Sequence, residues 1–399
     1  VRVVKLSLHR FRSPFSLQIE SLLGGTPARR LVLACCIGLA AVSTVQRGVL
    51  TSSHATFPIF RQSFVHLAEG RNLYAAYPAE QGTEDRDLFK YNPSVAMTFA
   101  PLSLMPFLAG LLVWTLVNTL GVYAAMRVLF GKRNAPAATI IVFPALIAAV
   151  QSTSSNGLVA ALMVGAFVAL EAGENWKAAG AIATGMLMKL FPAALLPMLL
   201  IRRDRTRLVG AFAAVLVALL AMPLLVTSWS TLVTQYKSWG SLLLADEGDL
   251  TFARSILVVI RNWTGQPIAN WALQAIATTM LLAPLALRRA SWTDPDFRRD
   301  FFASLMVYVV IFNHQSENAS YVIAAVGLAI WFRSAKATPA RVALLIACMA
   351  GLEAVPYFVV WGWMQYDLLE AGWLFGRVRA TETVVVDESM PEYDAAAAA

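Results

Sequence analysis

The residues of this 399-residue chain that could do chemistry stand in short polar islands within a largely apolar sequence. The longest island, "HATFPIFRQSFVHLAEGRNLYAAYPAEQGTEDRDLFKYNP", runs from His54 to Pro93. Its titratable groups include His54, Glu80, Glu84, Asp85 and Asp87, types able to exchange a proton or bind a polar ligand in a shared cavity. Asp87 stands at the mouth of the helix that "YNP" introduces; Glu84 and Asp85 read equally well as a solvated loop. Lys90, Tyr91 and Arg61 add hydrogen-bond donors. A second island, "QSTSSN", offers Gln151 and Asn156, although Asn156 also suits a helix N-cap. A third, "KLFP", holds Lys189 inside an apolar run, where it either binds an anion or snorkels to an interface. The fourth, "NHQSEN", supplies Asn313, His314 and Glu317.

The elements that must position these islands are membrane helices. The chain is 58% hydrophobic and 14% charged, with a mean hydropathy of +0.61. Apolar runs long enough to cross a bilayer recur along it, separated by short charged loops. The expected fold is all-α, a polytopic transmembrane helical bundle with interfacial helices in the first outer loop. Residues 1–30 read as a basic cytoplasmic lead-in, 31–361 as the transmembrane domain and 362–399 as a C-terminal tail of uncertain structure. Long outer loops are expected at 51–93 and 228–267.

The net charge of +8 is spread over many short loops, which argues for topology and against nucleic acid as a partner. Placing the N-terminus in the cytoplasm puts most Lys and Arg there as well, and gathers the four polar islands on the outer face. Within this path "AAGAIATGMLMKLFPAALLPMLLI" reads as a helical hairpin reaching outward, with Lys189 and Pro192 at its tip. Cys35, Cys36 and Cys348 all lie in apolar runs, and no metal-ligand spacing accompanies them. Phosphate loops, dinucleotide fingerprints and nucleophile elbows are absent from the sequence. No cofactor or metal is expected. An enzyme of this build would receive its energy with the substrate, and a lipid-carried donor meets that condition.

The order and spacing of "FPIFRQSFVHLAEGRNLY", "FKYNPSVAMTFAPLSLMP", "QSTSSNGLVAAL", "AAGAIATGMLMKLFPAALLPMLLIRR" and "FNHQSENASYVIA" resemble glycosyltransferase family 87, of the GT-C class. The resemblance covers roughly residues 31–335. It implies transfer of mannose or a similar sugar from a polyprenyl-phosphate donor to a lipid or glycan acceptor, at the outer face of the cell membrane. It further implies a carboxylate base in the first outer loop and cations beside the departing phosphate. Lys189, Arg61 and His314 are the expected phosphate ligands. Lys90, Tyr91, Gln151, Asn156, Asn313 and Glu317 are the expected substrate contacts. The family usually carries an acid near the start of the interfacial helix, where this chain reads "TFPIF" with Pro58. The base then falls to Asp87, Glu80 or His54. The competing readings are a lipid or small-solute transporter or flippase, and a non-catalytic membrane scaffold.

Overall fold

The computed structural model describes residues 23–51, 56–81, 88–202, 204–246, 253–265, 269–334, 337–351 and 353–379. The protein is an all-α polytopic helical membrane protein, with no strand among the described residues. Helix α1, Thr26–Val45, opens with Pro27 in its first turn, where a missing N–H costs nothing. It is followed by α2, Phe57–Ala68, and by the short turns Pro93–Thr98 and Ala100–Ser103.

Helix α3 is assigned over Phe107–Gln151, 45 residues, but is broken at Gly131 (φ 76°, ψ 166°), a conformation open to glycine alone among the common residues. The break reverses the chain. A straight helix would separate Trp114 from Thr153 by about 58 Å, yet the Trp114 indole donates to the Thr153 carbonyl at 2.7 Å. Lys132 and Arg133 follow the reversal, so two membrane crossings meet at a charged turn.

Next come α4, Asn156–Ala172, and α5, Asn175–Met188. Pro192 lacks an N–H and its ring collides with the carbonyl four residues back, at Met188, where α5 ends. The chain turns through an extended Lys189 (φ −150°, ψ 145°) and returns by a 3₁₀ turn, Phe191–Leu195, and the turn Leu196–Leu200. Gly185 accepts the returning Pro192 so closely that a Cβ there would lie 2.8 Å from the ring. Asn175 and Asp204, at the two feet, are joined at 2.8 Å. The segment is therefore a helical hairpin tipped by Lys189.

The remaining helices are α6 (Arg205–Ala221), α7 (Trp229–Asp246), α8 (Ile256–Thr264), α9 (Asn270–Leu287), α10 (Pro295–Ile311), α11 (Tyr321–Ser334), α12 (Pro339–Gly351) and α13 (Ala354–Arg379). Helix α11 is buried on every side from Tyr321 to Trp331, as an all-round apolar helix must be. It lies directly against α10. A Cβ on Gly327 would stand 2.5 Å from the Ala303 carbonyl oxygen, so only glycine permits that approach. We expect Gly327→Ala to lower stability by about 1–3 kcal/mol, whereas Gly210→Ala, with nothing within 4 Å, is neutral or stabilising. Unfolding of both variants in mixed micelles checks this; equal stabilities would refute the close approach.

Large apolar side chains left exposed on α1, α6 and α9, among them Leu31, Val42, Val209, Val217, Ile276 and Leu287, form the lipid-facing wall. Helix α13 continues past residue 361 to Arg379. Met364 and Leu368 are buried, and Asp367 takes a hydrogen bond from Arg341, whose guanidinium lies over Trp331 (4.5 Å) and Trp363 (4.9 Å). Residues 380–399 lie outside the described residues.

Contacts between helix ends sort the bundle into two polar layers. At one end Glu171, closing α4, makes a bidentate pair with Arg298 of α10 (2.6 and 2.7 Å). Arg202 and the Asn175–Asp204 feet stand in the same layer. There also Arg333 lies over Phe130 beside the Gly131 turn, and Arg288 donates to the Leu368 and Leu369 carbonyls. The opposite ends of the same helices carry the four polar islands.

Candidate active site

The "QSTSSN" turn is the hub of that opposite layer. Thr153 adopts a left-handed φ of 52°, unusual for a β-branched residue, and is buried. The conformation turns its hydroxyl and carbonyl outward to neighbours. Thr153 Oγ1 accepts the Phe57 amide at 3.0 Å, satisfying one orphan donor at the start of α2, and Thr56 Oγ1 donates to the Ser152 carbonyl. Arg47, beyond the end of α1, donates to the Gln151 carbonyl at 2.7 Å. Three elements are thereby fixed to one turn.

The segment after residue 88 reaches the same place. Tyr91 Oη and Ser155 Oγ share a hydrogen bond of 2.8 Å. The Tyr91 ring lies against Phe60 and Phe89, and its carbonyl accepts Tyr74 Oη. Burial pushes the Tyr91 phenol up, so it remains a proton donor at neutral pH; the Ser155 hydrogen bond opposes that shift and Glu317 adds to it. The Asn92 amide donates to the Leu187 carbonyl in the last turn of α5, while its side chain caps the turn Pro93–Thr98 through the Ser94 amide. The Asn156 side chain holds Ser154 Oγ at 3.2 Å, and its Oδ1 is buried without a protein partner.

Through Asn92 and Leu187 the hairpin that Lys189 tips is joined to the Tyr91–Asn92 segment. Lys189 is half-buried, its Nζ lies 5.7 Å from the Phe191 ring, and Glu317 and Lys90 are the charged groups that act on it. The turn Asn318–Ser320, next to Glu317, packs against α3, and the return Phe191–Leu195 packs against α10, which brings the fourth island towards the others. Asn313 Oδ1 accepts the Gln315 amide and so shapes the turn that presents exposed Glu317; half-buried His314 lies within that turn.

Other expected residues are elsewhere or differently engaged. Arg61 donates to the Ser103 and Met105 carbonyls, closing the turn before α3. Both oxygens of Glu80 are taken, by Arg71 (2.6 and 3.2 Å) and by His66 Nε2 (3.0 Å). First Arg71 and then His66 hold that carboxyl down, to about 2 from 4.5, which makes it a weak proton acceptor. Its folded pKa is depressed, so whatever Glu80 adds to stability is complete above pH 4.5 and vanishes as pH falls towards 2. The melting temperatures of the protein and of Glu80→Gln should converge over that window; a gap that persists at pH 2 would refute the pairing. His54 and Asp87 lie outside the described residues.

Several positioning residues escape sequence reading. Gln235 of α7 bridges the Arg71 carbonyl and the Leu73 amide, Tyr236 reaches Asn92 and the Leu220 carbonyl, and Trp239 donates to the Lys90 carbonyl. The segments about Arg71–Asn92 and Gln235–Trp239 thus cover one another. The visible signal was modest: Gln235, Tyr236 and Trp239 recur at helical spacing in a stretch less apolar than the spans.

An apolar helical bundle that gathers a lysine, a carboxylate and hydroxyl donors at one end of its helices defines a polytopic membrane protein with a polar cluster at that end. The comparison with known families gives this class a chemistry. Glycosyltransferase family 87 matches residues 89–313, more than half of the chain, and the chain belongs to that family. It is a membrane glycosyltransferase. The match includes Lys90, Tyr91, Gln151, Asn156, Lys189 and Asn313; Glu317 lies just beyond it. None of the curated proteins matches the chain.

Proposed function

We propose that this glycosyltransferase moves a sugar, mannose or a close relative, from a polyprenyl phosphate to an acceptor hydroxyl at the outer face of the cell membrane. The observation that carries the reading is the joining of the Tyr91–Ser155 pair to the Lys189 hairpin, through the Asn92 amide and the Leu187 carbonyl, at one end of a lipid-embedded bundle. A polyprenyl chain stays in lipid while its phosphate reaches a boundary site, and Lys189 is a compact cation suited to it. The basic character of the opposite layer, with Arg202, Arg298, Arg333 and Arg341, supports a cytoplasmic placement there and an outer site here.

In the proposed reaction the acceptor oxygen attacks the anomeric carbon. The bond from that carbon to the phosphate oxygen breaks, and its electron pair leaves with the polyprenyl phosphate. Lys189 stabilises that charge, with His314 as a second donor, and Tyr91 and Asn156 orient the sugar. The acceptor proton passes to a base, for which Asp87 is our first assignment, ahead of His54; Glu80, held by Arg71 and His66, drops behind both. Direct attack inverts the anomeric centre.

The test uses the purified protein in nanodiscs with a radiolabelled polyprenyl-phosphate mannose and an acceptor lipid extract. Release of polyprenyl phosphate together with label in a new glycolipid is the expected result. Donor translocation without cleavage would replace this reading with a flippase.

A further inference from the structure

Away from the site, at the opposite polar layer, a cavity of about 650 Å³ opens between the start of α5 and the first turns of α6. It is lined by Glu174, Trp176, Lys177 and Arg207, with the small residues Gly173 and Gly210 leaving space between them. Three features of its surroundings specify an occupant. The first is charge. Lys177 and Arg207 are exposed, Arg205 stands one turn from the cavity, and Arg202 lies just before it. Lys177 pairs with Glu174 at 3.0 Å, and Arg202 with Glu171 and Asp204, so Arg205 and Arg207 are the cations in excess of the acids. The local balance favours an anion.

The second feature is the neighbouring wall. Helix α6 and the turn after it, Arg205–Leu225, form the most apolar candidate span among the described residues, and only 17% of its most apolar stretch is buried by protein. Val209 and Val217 project from it at 51% and 66% exposure. The third is Trp176, 65% exposed at the rim, a side chain that favours the level of lipid headgroups. An anion bound here would have an apolar helix running from it into the bilayer. That combination excludes a free solute anion as the best fit and describes a molecule with a charged head and an acyl tail.

We propose that this cavity binds the headgroup of one anionic phospholipid of the bilayer, with an acyl chain laid along the exposed face of α6. Lys177 and Arg207 contact the phosphate, Trp176 sits at the glycerol level, and the space left by Gly173 and Gly210 gives room for the head. The lipid fastens α6 to the foot of the Lys189 hairpin. The site is separate from the sugar-transfer site, at the other end of α5.

The test is native mass spectrometry of the full chain in an uncharged detergent, titrated with a phosphatidylglycerol and, in parallel, with a phosphatidylcholine of the same chains. The wild type should retain one phosphatidylglycerol in preference to phosphatidylcholine. Lys177→Gln with Arg207→Gln should weaken the phosphatidylglycerol by about 10- to 30-fold. Gly210→Leu keeps every charge, its Cβ meets no neighbour within 4 Å, and its side chain takes up part of the space for the head, so it should weaken binding by a similar factor. Affinity within twofold of wild type in either variant, or equal retention of the two lipids by the wild type, would overturn the proposal. The readout needs no catalysis, so it stands or falls independently of the donor assigned above.

Discussion

Lys189→Met should weaken binding of a polyprenyl-phosphate donor analogue by about 10- to 150-fold, the effect of losing a hydrogen bond to a charged group (about 1.5–3 kcal/mol). Methionine matches the length and apolar stem of lysine, so the hairpin tip keeps its packing against Phe191. What is lost is the cation. Its loss also leaves Glu317 without the opposing charge that Lys189 supplies, which adds repulsion to an incoming phosphate. Asp87→Asn makes the complementary case, since removing a base should depress turnover while leaving donor binding intact. Isothermal titration of the donor analogue into both variants, beside turnover of each, separates the two roles. Equal donor affinities for Lys189→Met and the wild type would remove Lys189 as a phosphate ligand.

Glu171→Ala should destabilise the bundle by about 3 kcal/mol, as breaking a buried ion pair does. The Glu171 side chain is 3% exposed and that of Arg298 13%, so neither charge has much water to fall back on. With the carboxylate gone, Arg298 keeps only its bond to the Trp292 carbonyl, and Arg202 loses one of its two acidic neighbours. The pair joins the end of α4 to the start of α10, two helices that also meet through the stacked rings of Phe167 and Phe302 at 4.4 Å. Glu171→Gln keeps the shape and part of the hydrogen bonding and should fall between. Detergent-driven unfolding of the three proteins measures the difference. A loss below about 1 kcal/mol for Glu171→Ala would mean that water already screens the pair.

These two predictions draw on different sources, and so does the fold. The sequence by itself determined the class of structure, because a bilayer leaves an apolar chain few options: every backbone group must be bonded internally, so apolar runs become helices. It also marked where the chain reverses. Lys132 and Arg133 announce the Gly131 turn, and Pro192 with Lys189 announces the hairpin, since a proline cannot continue a helix and a lysine resists the membrane interior. The four polar islands were legible as candidates for the same reason, each being a cluster of polar groups set in an apolar background.

Their partners were not legible. Tyr91 and Ser155 are 64 residues apart, Glu171 and Arg298 are 127, and Gln235 and Arg71 are 164, and no local pattern links such positions. Glu80 illustrates the limit: its residue type suggested a base, and the fold gave both its oxygens to Arg71 and His66. The extent of α13 was hidden as well, because its polar face reads as a tail until Gln365 and Asp367 meet Ser304 and Arg341. Periodicity and punctuation act within a few residues and are fixed by covalent geometry and solvent. Which polar group meets which depends on how helices tens of residues apart pack side by side, and only the tertiary structure decides that.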